Sequence, residues 1–224
     1  MTLPKLETAA RVGDQAFDAL HAAISNGDYP AGRRLQIRNV AHELGISVMP
    51  VREAIKRLEE MGLVETQPYR GAVVKDFTPT ELLHIYAVRR VLEVEAAAQG
   101  TKNLTREDFQ HLDDLYAGLR RAVEDNQVID YLDQDEMVLT TVYSAAGNPV
   151  LIEMIRTLWG RCRHYKIVGA RDELDLGNAV HLLEHQERLI QAVKLGDSAA
   201  AARITAESID AASARIRQAL PRNR

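Results

Sequence analysis

Cysteine is almost missing from this 224-residue chain, with Cys162 standing alone. A disulfide framework and a cysteine-rich zinc module both need at least a pair, so neither is available. Aromatic residues are scarce at 5%, too few to line the inner faces of a β-sandwich, which favours helices. Long apolar runs are missing as well. The longest uncharged stretch, residues 137–152, is broken by Gly147-Asn148-Pro149 and is too short to span a bilayer. Near the start, Glu7 and Asp14 replace the apolar block of a secretory signal, so a cytoplasmic location is expected. Positive charge is not in surplus: 28 Lys and Arg against 32 Asp and Glu leave a net charge of -4. A generally basic coat for nucleic acid is excluded, and any polyanion must be met by a local patch.

What is present is the balance of a soluble globular protein, 46% hydrophobic and 27% charged, with Ala, Leu, Glu and Arg abundant. Texture changes near Asp76. Residues 1–76 carry 10 Lys/Arg and 10 Asp/Glu, whereas the remainder carries 18 against 22. The first part mixes helical and strand patterns; the second is helical nearly throughout.

Ala16, Leu20, Ala23 and Ile24 recur at helical spacing, predicting a helix over 14–26 that Asn26-Gly27 stops. Residues 1–13 read as a flexible arm. Tyr29-Pro30-Ala31-Gly32 is a turn. A short helix over 37–44 ends at Gly45, suited to a left-handed cap. Ser47 can cap a third helix over 48–61, with Pro50 tolerated in its first turn. Residues 63–66 and 72–75 read as two strands joined by the turn 67–71. Beyond Asp76, Thr78-Pro79-Thr80-Glu81 is a capping box, and Thr105-Arg106-Glu107-Asp108 repeats it with an aspartate. Further helices are predicted over 128–146, 149–168, 174–195 and 198–220. The fold class is mostly α: a winged helix-turn-helix with a small β-hairpin, then an all-α bundle of about six helices.

The order helix, helix, tight turn, helix, hairpin places one helix end in a DNA major groove. Ser47, Val48, Met49 and Arg52 lie on that end. Arg52 is the long donor suited to a guanine edge, whereas Ser47 and Arg38 suit phosphate oxygens. Arg70 and Gly71 sit at the hairpin tip, where an arginine can enter a narrow groove, and Lys56 can add a backbone contact. On pattern alone, a protein-interaction module with Arg52 paired to Glu53 or Asp28 is the competing reading.

The segment from Leu35 to Lys75 carries Ala41-His42-Glu43-Leu44-Gly45-Ile46-Ser47, Pro50-Val51-Arg52-Glu53-Ala54-Ile55, Leu58-Glu59-Glu60-Met61-Gly62-Leu63-Val64 and Arg70-Gly71. It resembles the DNA-binding domain of GntR-type transcriptional regulators. Arg89-Arg90-Val91-Leu92-Glu93-Val94-Glu95-Ala96-Ala97, Ala145-Ala146-Gly147-Asn148-Pro149 and Gly196-Asp197 before an alanine-rich helix resemble the FCD-type effector domain of the FadR-like branch. The resemblance implies a DNA-binding domain over 14–76 and an effector-binding, dimerising domain over 77–220. One departure is the reading head. Family members usually place arginine and a small polar residue between the capping Ser/Thr and the proline, whereas Val48-Met49 stand here. That pair can touch thymine methyls but cannot donate to guanine, so a different operator is expected.

Many FadR-like effector domains hold a divalent metal with one aspartate and three histidines. The resemblance puts the aspartate at Asp135 and the histidine positions at Leu139, Gln186 and Ser208. His185 stands beside Gln186, and a one-residue bulge would restore it as a ligand. Asp135 and His185 alone do not close a transition-metal site, so no cofactor is expected. Arg89, Asp135, Tyr143, Arg163, His185, Gln186 and Ser208 are the candidate effector-binding residues. Arg89 can clamp a ligand carboxylate or be held by Glu93 four residues on.

These readings imply a cytoplasmic homodimer on palindromic double-stranded operator DNA, without a membrane partner, controlled by a small molecule and acting as a repressor. Two other readings stand beside it: a dimeric regulator without an effector, and an enzyme with an acid-base site in the bundle. The lack of a glycine-rich phosphate loop or paired carboxylates at helical spacing weighs against the enzyme.

Overall fold

The computed structural model describes residues 9–175 and 179–218, with side chains from Val12 to Asp175 and from Leu182 to Gln218. Two compact units divide between Phe77 and Thr78.

The first unit begins with α1 (Ala9–Ser25), α2 (Ile37–Leu44) and α3 (Val48–Glu60). Strands β1 (Val64–Gln67) and β2 (Gly71–Val74) follow as an antiparallel hairpin, with Val64 opposite Val74 and Gln67 opposite Gly71. α1 begins at Ala9, so the arm expected over 1–13 is helical in its last five residues; residues 1–8 lie outside the described residues. Both strands are shifted by one residue from expectation. A segment missed in the sequence joins them: Leu35 donates to Ala72 O at 2.8 Å and Val74 to Arg33 O at 2.8 Å, so 32–35 runs beside β2. One isolated bridge is too short to leave an alternating pattern.

Val51, Ala54 and Leu58 of α3 are fully buried and pack with Ala16, Leu20, Leu35, Val40 and Val64. Arg57 bonds to Asp14 at 2.7 Å and stacks over the Phe17 ring at 4.0 Å, fastening α1 to α3. Gly45 closes α2 at φ 66, the left-handed cap its sequence position predicts.

The second unit holds six helices among its described residues: α4 (Pro79–Gly100), α5 (Arg106–Glu124), α6 (Val128–Ser144), α7 (Pro149–Asp175), α8 (Ala179–Lys194) and α9 (Ser198–Gln218). Both capping boxes form, Thr78 with Glu81 and Thr105 with Asp108. The α7 helix runs seven residues beyond the expected end at Val168. Gly169 does not stop it, because Ile167 and Ala170 are buried against Leu119, Val123 and Leu132 and carry the helix through. Leu174 therefore ends α7 instead of opening α8, and Leu220 lies outside the described residues. A larger core gathers Ala96, Leu112, Val138, Leu139, Val142, Ile155, Leu189, Val193 and Ile204. α4 packs along α9 more extensively than any other helix pair.

Candidate nucleic-acid interface and effector core

Because α3 buries Val51, Ala54, Ile55 and Leu58, its period leaves Val48, Met49, Arg52 and Lys56 on the outer stripe. All four are exposed, Val48 at 39% and Met49 at 59%. Val48 and Met49 thus form an adjacent, exposed apolar pair at a helix start, a surface that suits contact with a partner. Ser47 occupies the N-cap, yet its hydroxyl makes no capping bond. The reason is local: the third helical residue is Pro50, which has no N–H to donate. This corrects the expected cap and leaves the hydroxyl free for a phosphate oxygen.

Arg52 forms no ion pair with Glu53 or Asp28 among the described residues, so the competing surface pairing is not made. Arg38 is exposed on the first turn of α2. Lys56 makes only a loose 3.8 Å contact with Glu60. At the hairpin tip Arg70 donates to Gln67 Oε1 at 3.2 Å, and Gly71 takes φ 74. Tyr69, which sequence reasoning passed over, is fully exposed beside them with φ 63. A non-glycine residue held there is uncommon. Its place between Pro68 and Arg70 at a turn tip was the available signal.

Inside the second unit, charge gathers in two clusters. In the first, Arg89 Nε donates to Glu93 Oε1 at 2.7 Å and Nη1 to Cys162 Sγ at 3.3 Å. Glu93 also accepts from Trp159 Nε1 at 2.9 Å and from Tyr143 OH at 3.4 Å. Burial alone would lower the Arg89 pKa; Glu93, Cys162 and Tyr86 together outweigh it and hold the guanidinium well above its ordinary value. Of the two roles open to Arg89, the bond to Glu93 is the one formed. Burial, reinforced by Glu93, drives the Tyr143 pKa well above the usual phenol, so its hydroxyl stays protonated.

The second cluster surrounds Asp135. Lys166 Nζ lies 3.0 Å from one carboxylate oxygen, and Gln186 Nε2 donates to the other. Lys166 also stands 3.8 Å from Glu136. Burial pulls the Lys166 pKa down, but Asp135 and Glu136 together raise it above the ordinary lysine value. Arg163 lies 2.5 Å from Asp133 and 3.0 Å from Glu136.

The expected effector set is thus only partly brought together. Asp135 meets Gln186, and Arg89 meets Tyr143 through Glu93. His185 does not join them. It is half-buried among Arg188, Glu184, Glu207 and Arg215, and burial followed by Arg188 lowers its pKa below the usual 6.5. α8 is a continuous helix at this point, so the bulge that would have turned His185 toward Asp135 does not occur. Ser208 is half-buried on α9, and Leu139 is packed into the larger core. Lys166 and Trp159 were missed because no sequence spacing ties them to Asp135, and Glu136 because the next residue on a helix is turned by ~100° about the axis. For the metal the family resemblance implies, the donors do not fit: Leu139 has no ligating atom, and both Asp135 oxygens are engaged. Among the described residues no group of three or more His, Cys, Asp or Glu is placed to hold a metal ion. No described helix is long and apolar enough to cross a membrane.

Residues 13–74 match the family described as bacterial regulatory proteins, gntR family, and residues 84–211 match the FCD domain. The HTH-type transcriptional regulator McbR of Escherichia coli (strain K12) is 30% identical over 186 residues, 82% of each chain. The solved structure of E. coli McbR/YncC superposes with a TM-score of 0.79 at 28% identity, covering 92% of this chain and 97% of that one. A putative GntR transcriptional regulator from Rhodococcus sp. RHA1 shares the fold, with a TM-score of 0.79 at 22% identity over 95% of this chain and all of its own, 100%. With a gntR-family domain over residues 13–74 and a helical FCD domain over residues 84–211, this chain is a transcriptional regulator and not an enzyme, and it belongs to the GntR family.

Proposed function

We propose that the chain is a cytoplasmic repressor that binds a palindromic double-stranded operator as a homodimer and responds to a small carboxylate in its helical domain. The observation that supports it most is the uncommitted outer stripe of α3, with Ser47, Val48, Met49 and Arg52 all exposed at a helix N-terminus. One such domain has few phosphate contacts and carries no net positive charge. Two domains on one palindrome pool their contacts, and specific sites commonly reach ~10⁻⁸ to 10⁻¹¹ M. Repression needs only occlusion of a promoter.

Within the bundle, Lys166 supplies the positive charge that a metal supplies in many relatives, so the domain works without one. Arg163 is the internal cation that a ligand carboxylate reaches most easily, because the side chain of its partner Asp133 is 53% exposed. A carboxylate entering there replaces Asp133 in a two-pronged contact. Coupling of ~1–3 kcal/mol to the spacing of the two reading heads changes operator affinity roughly 5- to 150-fold.

A second reading, a dimeric regulator without an effector, draws support from the pairing of buried charges among the described residues: Arg89 with Glu93, Lys166 with Asp135, and Arg163 with Asp133 and Glu136. Thermal-shift screening against carboxylic, sugar and amino acids separates the two. A hit that weakens operator binding and is lost in Arg163→Met supports the effector reading; silence across the panel supports the second.

A further inference from the structure

The inner face of α4 is set by Leu82, Ile85, Arg89, Glu93, Ala96 and Gly100, all buried. On the opposite side His84, Val88, Val91 and Glu95 recur at intervals of four, three and four. At 3.6 residues per turn they fall within a stripe ~60° wide. All four are exposed, with 49% of Val88 and 69% of Val91 open to solvent. Small, exposed Ala87 borders the stripe, so another helix can approach closely. The spacing is that of the a and d positions of a coiled-coil seam.

The stripe is also its own complement. A twofold axis passing between Arg89 and Arg90 sets Val88 against the partner's Val91, and His84 against the partner's Glu95. These are the a-against-d layers of an antiparallel helix pair, with an apolar centre and a base facing an acid at each end. An isologous contact requires such self-complementarity, whereas an unrelated partner does not. Two arginines near the axis would repel their symmetry mates, but each is already neutralised within its own chain. Arg89 pairs with Glu93 at 2.7 Å, and Arg90 with Asp210 at 2.9 Å.

We propose that this stripe is the centre of the homodimer interface, formed by two α4 helices packed antiparallel about that axis. The proposal rests on the dimeric reading above and adds where the two chains meet. Light scattering after gel filtration of the full chain tests it. Wild-type protein is expected at about twice the 25.0 kDa chain mass, and Val88→Glu/Val91→Glu at the chain mass itself, 25.0 kDa. Both positions are exposed, so circular dichroism and the melting temperature should stay unchanged. His84→Glu alone should raise the dimer Kd roughly fivefold or more, and adding Glu95→Lys should bring it back. That rescue is a signature a merely structural role cannot produce. A dimer that survives Val88→Glu/Val91→Glu, or a charge swap without rescue, overturns the α4 seam and leaves the dimeric reading intact. A wild-type chain that stays monomeric in solution and on operator DNA overturns both.

Discussion

Glu93 Oε1 lies 2.7 Å from Arg89 Nε, one turn earlier on α4, and the same oxygen accepts from Trp159 on α7 at 2.9 Å. Side chains of this pair are only 6% and 1% exposed. Burying two charges costs several kcal/mol per ion and is offset only when the remaining lone pairs and protons are satisfied, as they are here. Removing one partner should therefore hurt far more than removing both. Glu93→Leu is expected to lower the unfolding free energy by about 3–5 kcal/mol in urea titrations, and Arg89→Met/Glu93→Leu to recover most of that loss. A mild single variant would mean that the pair does not organise the bundle.

Gly100 fixes how closely the end of α4 approaches α6. A Cβ added there would sit 1.9 Å from the Val142 carbonyl oxygen, which is backbone and cannot step aside cheaply. Gly100→Ala should destabilise by at least ~1–3 kcal/mol, the usual range for overpacking. Gly169 is the control, since nothing lies within 4 Å of its added Cβ and it is helical. Gly169→Ala should be neutral or stabilising by up to ~1 kcal/mol. Paired thermal melts of the two variants check the contrast.

His185 makes stability depend on pH with a definite sign. Burial, then Arg188, holds its folded pKa below 6.5. The unfolded chain therefore takes up the proton first, and stability is complete above pH 6.5 and lost as pH falls through the folded pKa. His185→Gln should remove that part of the acid sensitivity. Urea midpoints at pH 7.5 and 5.5 should converge more closely in the variant than in wild type; equal slopes would contradict the assignment.

If, as proposed above, Lys166 takes the place of a metal beside Asp135, the effector domain is expected to be indifferent to chelators. EDTA should leave the melting temperature of washed protein unmoved, and elemental analysis should find less than stoichiometric Zn or Ni. Lys166→Ala combined with Leu139→His, Gln186→His and Ser208→His should acquire a Zn-dependent rise in melting temperature, as a bound ligand stabilises the folded state. Stoichiometric metal in the wild-type chain would overturn this.

Local signals were legible where they act within a few residues. Gly45 at a helix end, the Thr78 and Thr105 boxes, and the Arg89–Glu93 spacing all follow from neighbours in sequence. The exposed stripe of α3 was legible too, through its alternation with the buried Val51, Ala54 and Leu58; that it contacts DNA is the proposal. Ser47 shows the limit of residue type alone: a serine suits an N-cap, but Pro50 at the third helical position has no N–H for it to accept. Lys166 was out of reach, being 31 residues from Asp135 on another helix. Helical periodicity does not set the rotation of one helix against its neighbour. The same ignorance separated His185 from Gln186, since one residue turns a side chain by ~100° about the axis.

Selection of bound sequences from a random DNA pool tests the central claim most directly, because it asks the α3 stripe what it reads. The account predicts an enriched palindrome whose half-sites lie about one helical turn apart, or a multiple of it. Arg52→Ala should cost ~1–3 kcal/mol and relax one base position per half-site, while Arg38→Ala weakens all sequences alike. Val48→Arg should move the preference toward a guanine at its own position. No enriched motif even at low salt, or one that Arg52→Ala and Val48→Arg both leave unchanged, would contradict the account.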